Sequence, residues 1–92
     1  MPGADRQALL RQRLEGRFAP TFLHIQDEGH LHAGHAGAAD GRGHFRVKIL
    51  ADAFRGLTPL ARHRLVYAAV ADLLETDIHA LAIEALPPPL ER

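Results

Sequence analysis

FRGLTPLARHRLVYAAVADLL (Phe54–Leu74), with TDIHAL (Thr76–Leu81) just after it, is the stretch that decides the fold of this 92-residue chain. It reads as one long helix followed by a strand. Thr58 suits an N-cap, because its hydroxyl can accept from an orphan amide one turn in, and Pro59 suits the first helical position, where no amide proton is needed. The helix is therefore predicted to begin near Pro59. At 100° per residue, Leu60, Val66, Tyr67, Val70, Leu73 and Leu74 fall on one arc, while Arg64, Ala68, Asp72 and Glu75 fall opposite. His63 lies near the middle of the apolar arc, where a packed imidazole with a hydrogen-bond partner is expected. With Tyr67, Phe54 and Gly56 it is read as structural.

Downstream, Ile78 to Ala85 alternates Leu81 and Ile83 against Ala80 and Ala82 and gives a third strand, with His79 on the face of Leu81 and Ile83. Leu86-Pro-Pro-Pro-Leu-Glu-Arg92 leads into an extended tail over 87–92. Upstream, Ala51 to Phe54 reads as a helical turn broken by Gly56. In His44–Leu50, Phe45, Val47 and Ile49 point one way and His44, Arg46 and Lys48 the other, a strand with one buried and one wet face. Thr21–Gln26 sets Leu23 and Ile25 against Phe22 and His24, a short first strand. Asp5 caps an opening helix that carries Leu10, Leu14 and Phe18, and Gly16 and Pro20 bracket its end.

Between the first two strands, residues 27–43 form a Gly/His-rich segment far longer than a hairpin needs, and long loops of this kind are functional or mobile. The element order is helix, strand, strand, short helix, long helix, strand. It predicts an α+β two-layer fold, a three-stranded sheet covered by helices, as a single domain over 1–92 with its core in about 5–86.

Composition narrows the chemistry. Hydrophobic residues at 47% favour a packed core over disorder, and 11 basic against 11 acidic residues give no net pull towards nucleic acid or an anionic membrane. There is no run long enough to span a bilayer and no charged-then-apolar leader, so a cytoplasmic protein is expected. The absence of cysteine excludes disulfides and thiolate chemistry from this chain's own side chains. Seven histidines are the chemical surplus.

Three separated blocks now carry a resemblance. Phe54-Arg-Gly with Arg62-His-Arg-Leu-Val-Tyr-Ala-Ala-Val70, then Asp77-Ile-His-Ala-Leu81, preceded by Gly43-His-Phe-Arg-Val47, strongly resemble the BolA family over roughly Leu9 to Leu86. The resemblance implies a fold similar to the type II K-homology domain and a role as partner of monothiol glutaredoxins. In such pairs a 2Fe–2S cluster is shared. The glutaredoxin supplies a cysteine and glutathione another thiolate, while the BolA-like chain supplies a histidine from the Ile-His-Ala block and a cysteine or histidine from the first inter-strand loop. The matching position for the first ligand is His79. With no cysteine, the chain resembles the histidine-bearing branch, and the second ligand is one of His30, His32, His35 and His44. His32 holds the place usual for that branch, His44 is better anchored before the strand phenylalanine, and His35 fits the pattern less well; spacing does not choose. Neutral imidazole is a good iron ligand, and two on one iron raise the potential above that of an all-thiolate cluster. The isolated chain is expected to be an empty monomer.

A second implication of the family is transcriptional regulation of stress, morphology or biofilm type, since the K-homology fold elsewhere binds single-stranded nucleic acid through a Gly-x-x-Gly loop between two helices. Gly34-His-Ala-Gly37 matches formally but lies between strands, and only Arg55-Gly56-Leu57-Thr58 separates the helices. Arg46, Lys48, Arg55, Arg62 and Arg64 could form a basic patch for DNA, and the surface beside the long helix with Arg62 and Arg64 could dock a protein. No nucleophile elbow, phosphate loop or matched carboxylate pair is present, so no enzyme is expected.

Overall fold

A computed structural model describes residues 3–29 and 43–90. The first helix, α1 (Gly3–Phe18), buries Leu10, Leu14 and Phe18 at their four-residue spacing. Asp5 sits within the first turn instead of ahead of it, where a carboxylate favours the positive end of the helix dipole. The helix ends at Phe18, between Gly16 and Pro20 as read: Ala19 adopts φ 46° and its N–H donates to Glu15 O at 3.0 Å, and Pro20 prevents continuation. A left-handed conformation penalises alanine but not glycine. Ala19→Gly is therefore expected to raise stability by about 0.5–1 kcal/mol in urea unfolding; an unchanged or lower midpoint would contradict this origin for the turn.

Strand β1 (Phe22–Asp27) pairs antiparallel with β2 (Gly43–Leu50), and β3 (Ile78–Leu86) pairs parallel with the other side of β2, in the order β1-β2-β3. Parallel neighbours need a long crossover. Here it is a 3₁₀ turn (Asp52–Phe54), α2 (Pro59–Ala69) and α3 (Ala71–Thr76). The architecture is the expected α+β arrangement, helices on one face of a three-stranded sheet. Alternation in β2 buries Phe45, Val47 and Ile49 against Leu10 and Leu14 of α1, Val66 of α2, Val70 between the two crossover helices and Leu73 of α3, while Arg46 and Lys48 face solvent. Phe54 closes the end of this core, its ring centroid 5.1 Å from that of Phe18. Among the described residues, no helix is long and apolar enough to cross a membrane.

The single long helix expected from Phe54–Leu74 is instead two. Its start is as read, with Thr58 Oγ1 accepting from the Ala61 N–H at 3.1 Å and Pro59 in the first turn. At Val70 (φ −123°, ψ 17°) the chain bends. There the Leu73 N–H donates to Val70 O at 2.9 Å. Ala69 O, which a continuous helix would bond to that N–H, accepts instead from Arg13 Nη1 at 3.0 Å. The same guanidinium forks onto Asp72, Nη1 to Oδ1 at 2.6 Å and Nη2 to Oδ2 at 3.0 Å. A residue of α1 thus satisfies the carbonyl that the bend releases. The apolar arc also shortens: Val66, Val70 and Leu73 are buried, whereas Leu60 is 58% exposed at the mouth of an open groove between α2 and β3.

Arg13, chiefly through its side-chain hydrogen bonds, holds the Asp72 carboxyl below the usual carboxylate range. Because the folded-state pKa lies below the unfolded one, this contribution is complete at neutral pH and is lost as the pH falls below about 4. Asp72→Asn is expected to flatten the acid limb of the stability profile, most visibly at low salt because the pair is exposed. An acid limb identical to that of the wild type would show that the pair adds nothing.

Candidate metal centre

Strict alternation along β3 would put His79 on the face of Leu81 and Ile83, towards the helices. The structure reverses this. Gly43 pairs with Ile78, but His44 pairs with Ala80, so β3 carries one extra residue at His79. Ile78 and Leu81 are both buried, while His79 and Ala80 between them are both exposed. Two core positions three residues apart require such an irregularity in a strand of period two, and a bulge re-aims the side chain it carries.

The result is that His79 comes to lie against His44, with ring centroids 5.0 Å apart and planes inclined at 48°. His44 stands on the polar side of the β2 alternation yet is only 5% exposed. Both imidazoles line a cavity of about 460 Å³ at the N-terminal end of β3, together with Glu28, Tyr67 and the backbone run from Ala80 to Ala82. Two imidazoles on one metal ion, each at about 2.0–2.1 Å, have centroids roughly 5 Å apart. The separation of the pair is thus within the range of two nitrogen donors to one metal ion, as it is within that of an ordinary aromatic contact. Among the described residues, no group of three or more His, Cys, Asp or Glu side chains converges on a metal position, so the donor set is incomplete within them.

Of the other predicted ligands, His30, His32 and His35 lie outside the described residues. His24, not proposed as a ligand, pairs across the sheet with Lys48, four residues along β2 from His44. The site also contains two residues that sequence reasoning did not place there. Glu28 follows the last residue of β1, its N–H donating to His44 O at 2.7 Å, and its side chain is 15% exposed. Tyr67 Oη donates to Leu81 O at 3.0 Å and so ties α2 to β3 two residues beyond His79. The uneven spacing Ile78…Leu81 was the available signal for the bulge.

The residues read as structural are placed as follows. Phe54 is fully buried, and Gly56 adopts φ 79°, a left-handed turn between the 3₁₀ segment and α2 that favours glycine. His63 is half-buried and not a core residue; its ring lies 4.6 Å from that of Tyr67, at the rim of the α2–β3 groove. The bend and the exposure of Leu60 move the centre of the buried stripe to Val66 and Val70 and leave His63 at its edge.

The five basic residues are not gathered into one patch. Arg46 Nε bonds Glu28 Oε2 at 3.0 Å, and Arg55 Nη2 bonds Asp52 Oδ1 at 3.0 Å and Pro88 O at 2.8 Å, which fixes the proline tail. Arg62 Nε bonds Leu57 O at 2.9 Å and its Nη1 reaches Ala85 O at 3.5 Å. Lys48 and Arg64 are exposed, one on the sheet and the other on α2. The Gly34–Gly37 segment lies outside the described residues.

Known proteins share the sequence pattern and the fold. A family model described as BolA-like protein matches residues 14–89. The chain is 43% identical over 82 residues to the human BolA-like protein 1, covering 89% of this chain and 58% of that protein. It is 40% identical over 77 residues to the Vibrio cholerae DNA-binding transcriptional regulator BolA, covering 84% and 70% respectively. Among solved structures, the BolA domain of SufE1 from Arabidopsis thaliana superposes with a TM-score of 0.80 at 34% identity, over 96% of this chain and 95% of that one. The chain spans only part of the curated relatives it matches, 58% of the human protein and 23% of the Arabidopsis SufE-like protein 1.

Proposed function

The chain belongs to the BolA-like protein family, and we propose that it is an adaptor that binds a monothiol glutaredoxin and shares a 2Fe–2S cluster with it, for iron–sulfur trafficking or iron and redox regulation. The observation that supports this reading most is the contact between His44 and His79, which depends on the bulge in β3. A chain without cysteine offers nitrogen and no sulfur to a cluster, so the thiolates come from the partner and glutathione.

In this reading His79 and His44 hold one iron, and His30, His32 and His35 are the alternatives for the second place. When bound, the cluster supplies one-electron and iron–sulfur transfer chemistry. The protein's share is to orient the two rings. Burial of His44 beside Phe45 keeps water from one side of the pair, and exposure of His79 leaves the other side open to a partner. Each imidazole must be neutral to bind, so protons compete with the metal for it. A cytoplasmic setting, an uncomplexed monomer and a non-enzymatic role belong to the same proposal.

The test is titration of the chain into cluster-loaded monothiol glutaredoxin, followed by visible circular dichroism. A new spectrum saturating at one-to-one supports the reading, and an unaltered glutaredoxin spectrum counts against it. DNA binding is the second reading, favoured by the name of the Vibrio relative. It is weakened by Arg46, Arg55 and Arg62, which are engaged within the fold. Salt-sensitive retention of duplex DNA, together with an unaltered spectrum, would put it first.

A further inference from the structure

We propose that Glu28 is a positioning residue of the histidine pair, the carboxylate that accepts the second ring N–H of a metal-bound imidazole, His44 being the one its backbone already contacts. This inference rests on the reading of His44 and His79 as ligands.

Burial is the first observation. In the Glu28–Arg46 ion pair the glutamate side chain is 15% exposed and the arginine 60%. A surface ion pair gives no reason for sinking its carboxylate, since exposed pairs contribute little. A carboxylate so placed needs further hydrogen-bond partners. Among the described residues, Arg46 approaches through Nε onto Oε2 alone, and a carboxylate's second oxygen has acceptor capacity of its own.

Placement is the second. The Glu28 N–H donates to His44 O at 2.7 Å, one rung beyond the last β1–β2 pair, Asp27 with Phe45. Immediately afterwards the Gly29 N–H donates to Asp27 Oδ1 at 2.8 Å. Glu28 is thus held by its own N–H and spanned by the Asp27–Gly29 bond. Glu28 lines the cavity that contains both rings, and it is the one acidic residue among the described residues lining it.

The chemistry then follows from what an imidazole ligand requires. A ring bound to a metal through one nitrogen presents an N–H at the other. A carboxylate accepting it fixes the tautomer, holds the ring plane and raises the basicity of the ligating nitrogen. Removing such a group typically weakens a metal site by about 10–100-fold.

The test compares the wild type with Glu28→Gln, Glu28→Asp and Arg46→Ala, each in complex with cluster-loaded monothiol glutaredoxin and glutathione. Three quantities are read: the visible circular dichroism bands, the half-life of the cluster under a chelator, and the affinity for cluster-free glutaredoxin by calorimetry. Glu28→Gln is expected to shift the bands and shorten the half-life by about tenfold or more, with cluster-free affinity unchanged. Glu28→Asp should recover part of the loss, and Arg46→Ala should shorten the half-life less than Glu28→Gln does. A Glu28→Gln complex with wild-type bands and half-life overturns the inference and leaves the cluster reading standing. Equal losses in Glu28→Gln and Arg46→Ala also overturn it, since the ion pair alone would then account for the effect. If the wild type itself produces no new spectrum, the inference falls together with the reading it rests on.

Discussion

His79→Ala is expected to leave the chain folded while the complex with cluster-loaded glutaredoxin loses its distinctive visible spectrum. The side chain is exposed and stands on a bulge residue outside the core, so its removal creates no cavity. Substitutions at such positions alter stability by no more than about 0.5 kcal/mol. Loss of one of two protein nitrogens, by contrast, changes the ligand set of the iron itself. His44→Ala should abolish the same spectrum but also lower stability, because its ring is almost wholly buried. His32→Ala is the comparison that separates the two candidate second ligands. If His32→Ala removes the spectrum and His44→Ala preserves it, the second ligand is the loop histidine, and His44 is a packing residue beside the site.

Phe54→Ala carries the largest expected effect on the fold, a loss of about 3–5 kcal/mol. The ring is fully buried and lies 5.1 Å from that of Phe18, where the C-terminal end of α1 meets the start of the crossover. Its backbone is equally committed: the Phe54 N–H donates to Ala51 O at 3.1 Å and Phe54 O accepts from Leu57 at 3.2 Å. Truncation would leave a cavity that Phe18 alone cannot fill, in a chain whose total stability should be about 5–15 kcal/mol. Urea unfolding measures this directly. A loss under about 1 kcal/mol would mean that the end of the core relaxes around the missing ring. The two substitutions thus separate folding from chemistry: Phe54→Ala should lose the cluster with the fold, and His79→Ala should lose it without.

The fold was readable because its elements carry local signals. Four-residue spacing in Leu10, Leu14 and Phe18, alternation in Phe45, Val47 and Ile49, and the Thr58–Pro59 cap each depend on neighbours a few positions away. The bend at Val70 was not readable, because the group that accepts the cost of the broken ladder is Arg13, brought there by tertiary structure. The parallel register of β3 gave the same difficulty. Assuming strict period two assigned His79 to the helical face, whereas one extra residue, needed to bury both Ile78 and Leu81, turns it to His44. His44 and His79 were named individually from the family's pattern, but their contact is a property of that bulge. Glu28 does not stand out in the sequence because a glutamate just after a short strand looks like a solvated charge; its burial, and the rung it makes to His44, exist only in the folded chain.

The most direct test of the cluster account is pulsed electron paramagnetic resonance of the reduced heterocomplex, with ¹⁵N-histidine incorporated into this chain alone. The account predicts two histidine nitrogens of this chain strongly coupled to the cluster of the wild-type complex. A reduced cluster with no nitrogen coupling from this chain would contradict it, because every ligand would then come from the glutaredoxin side.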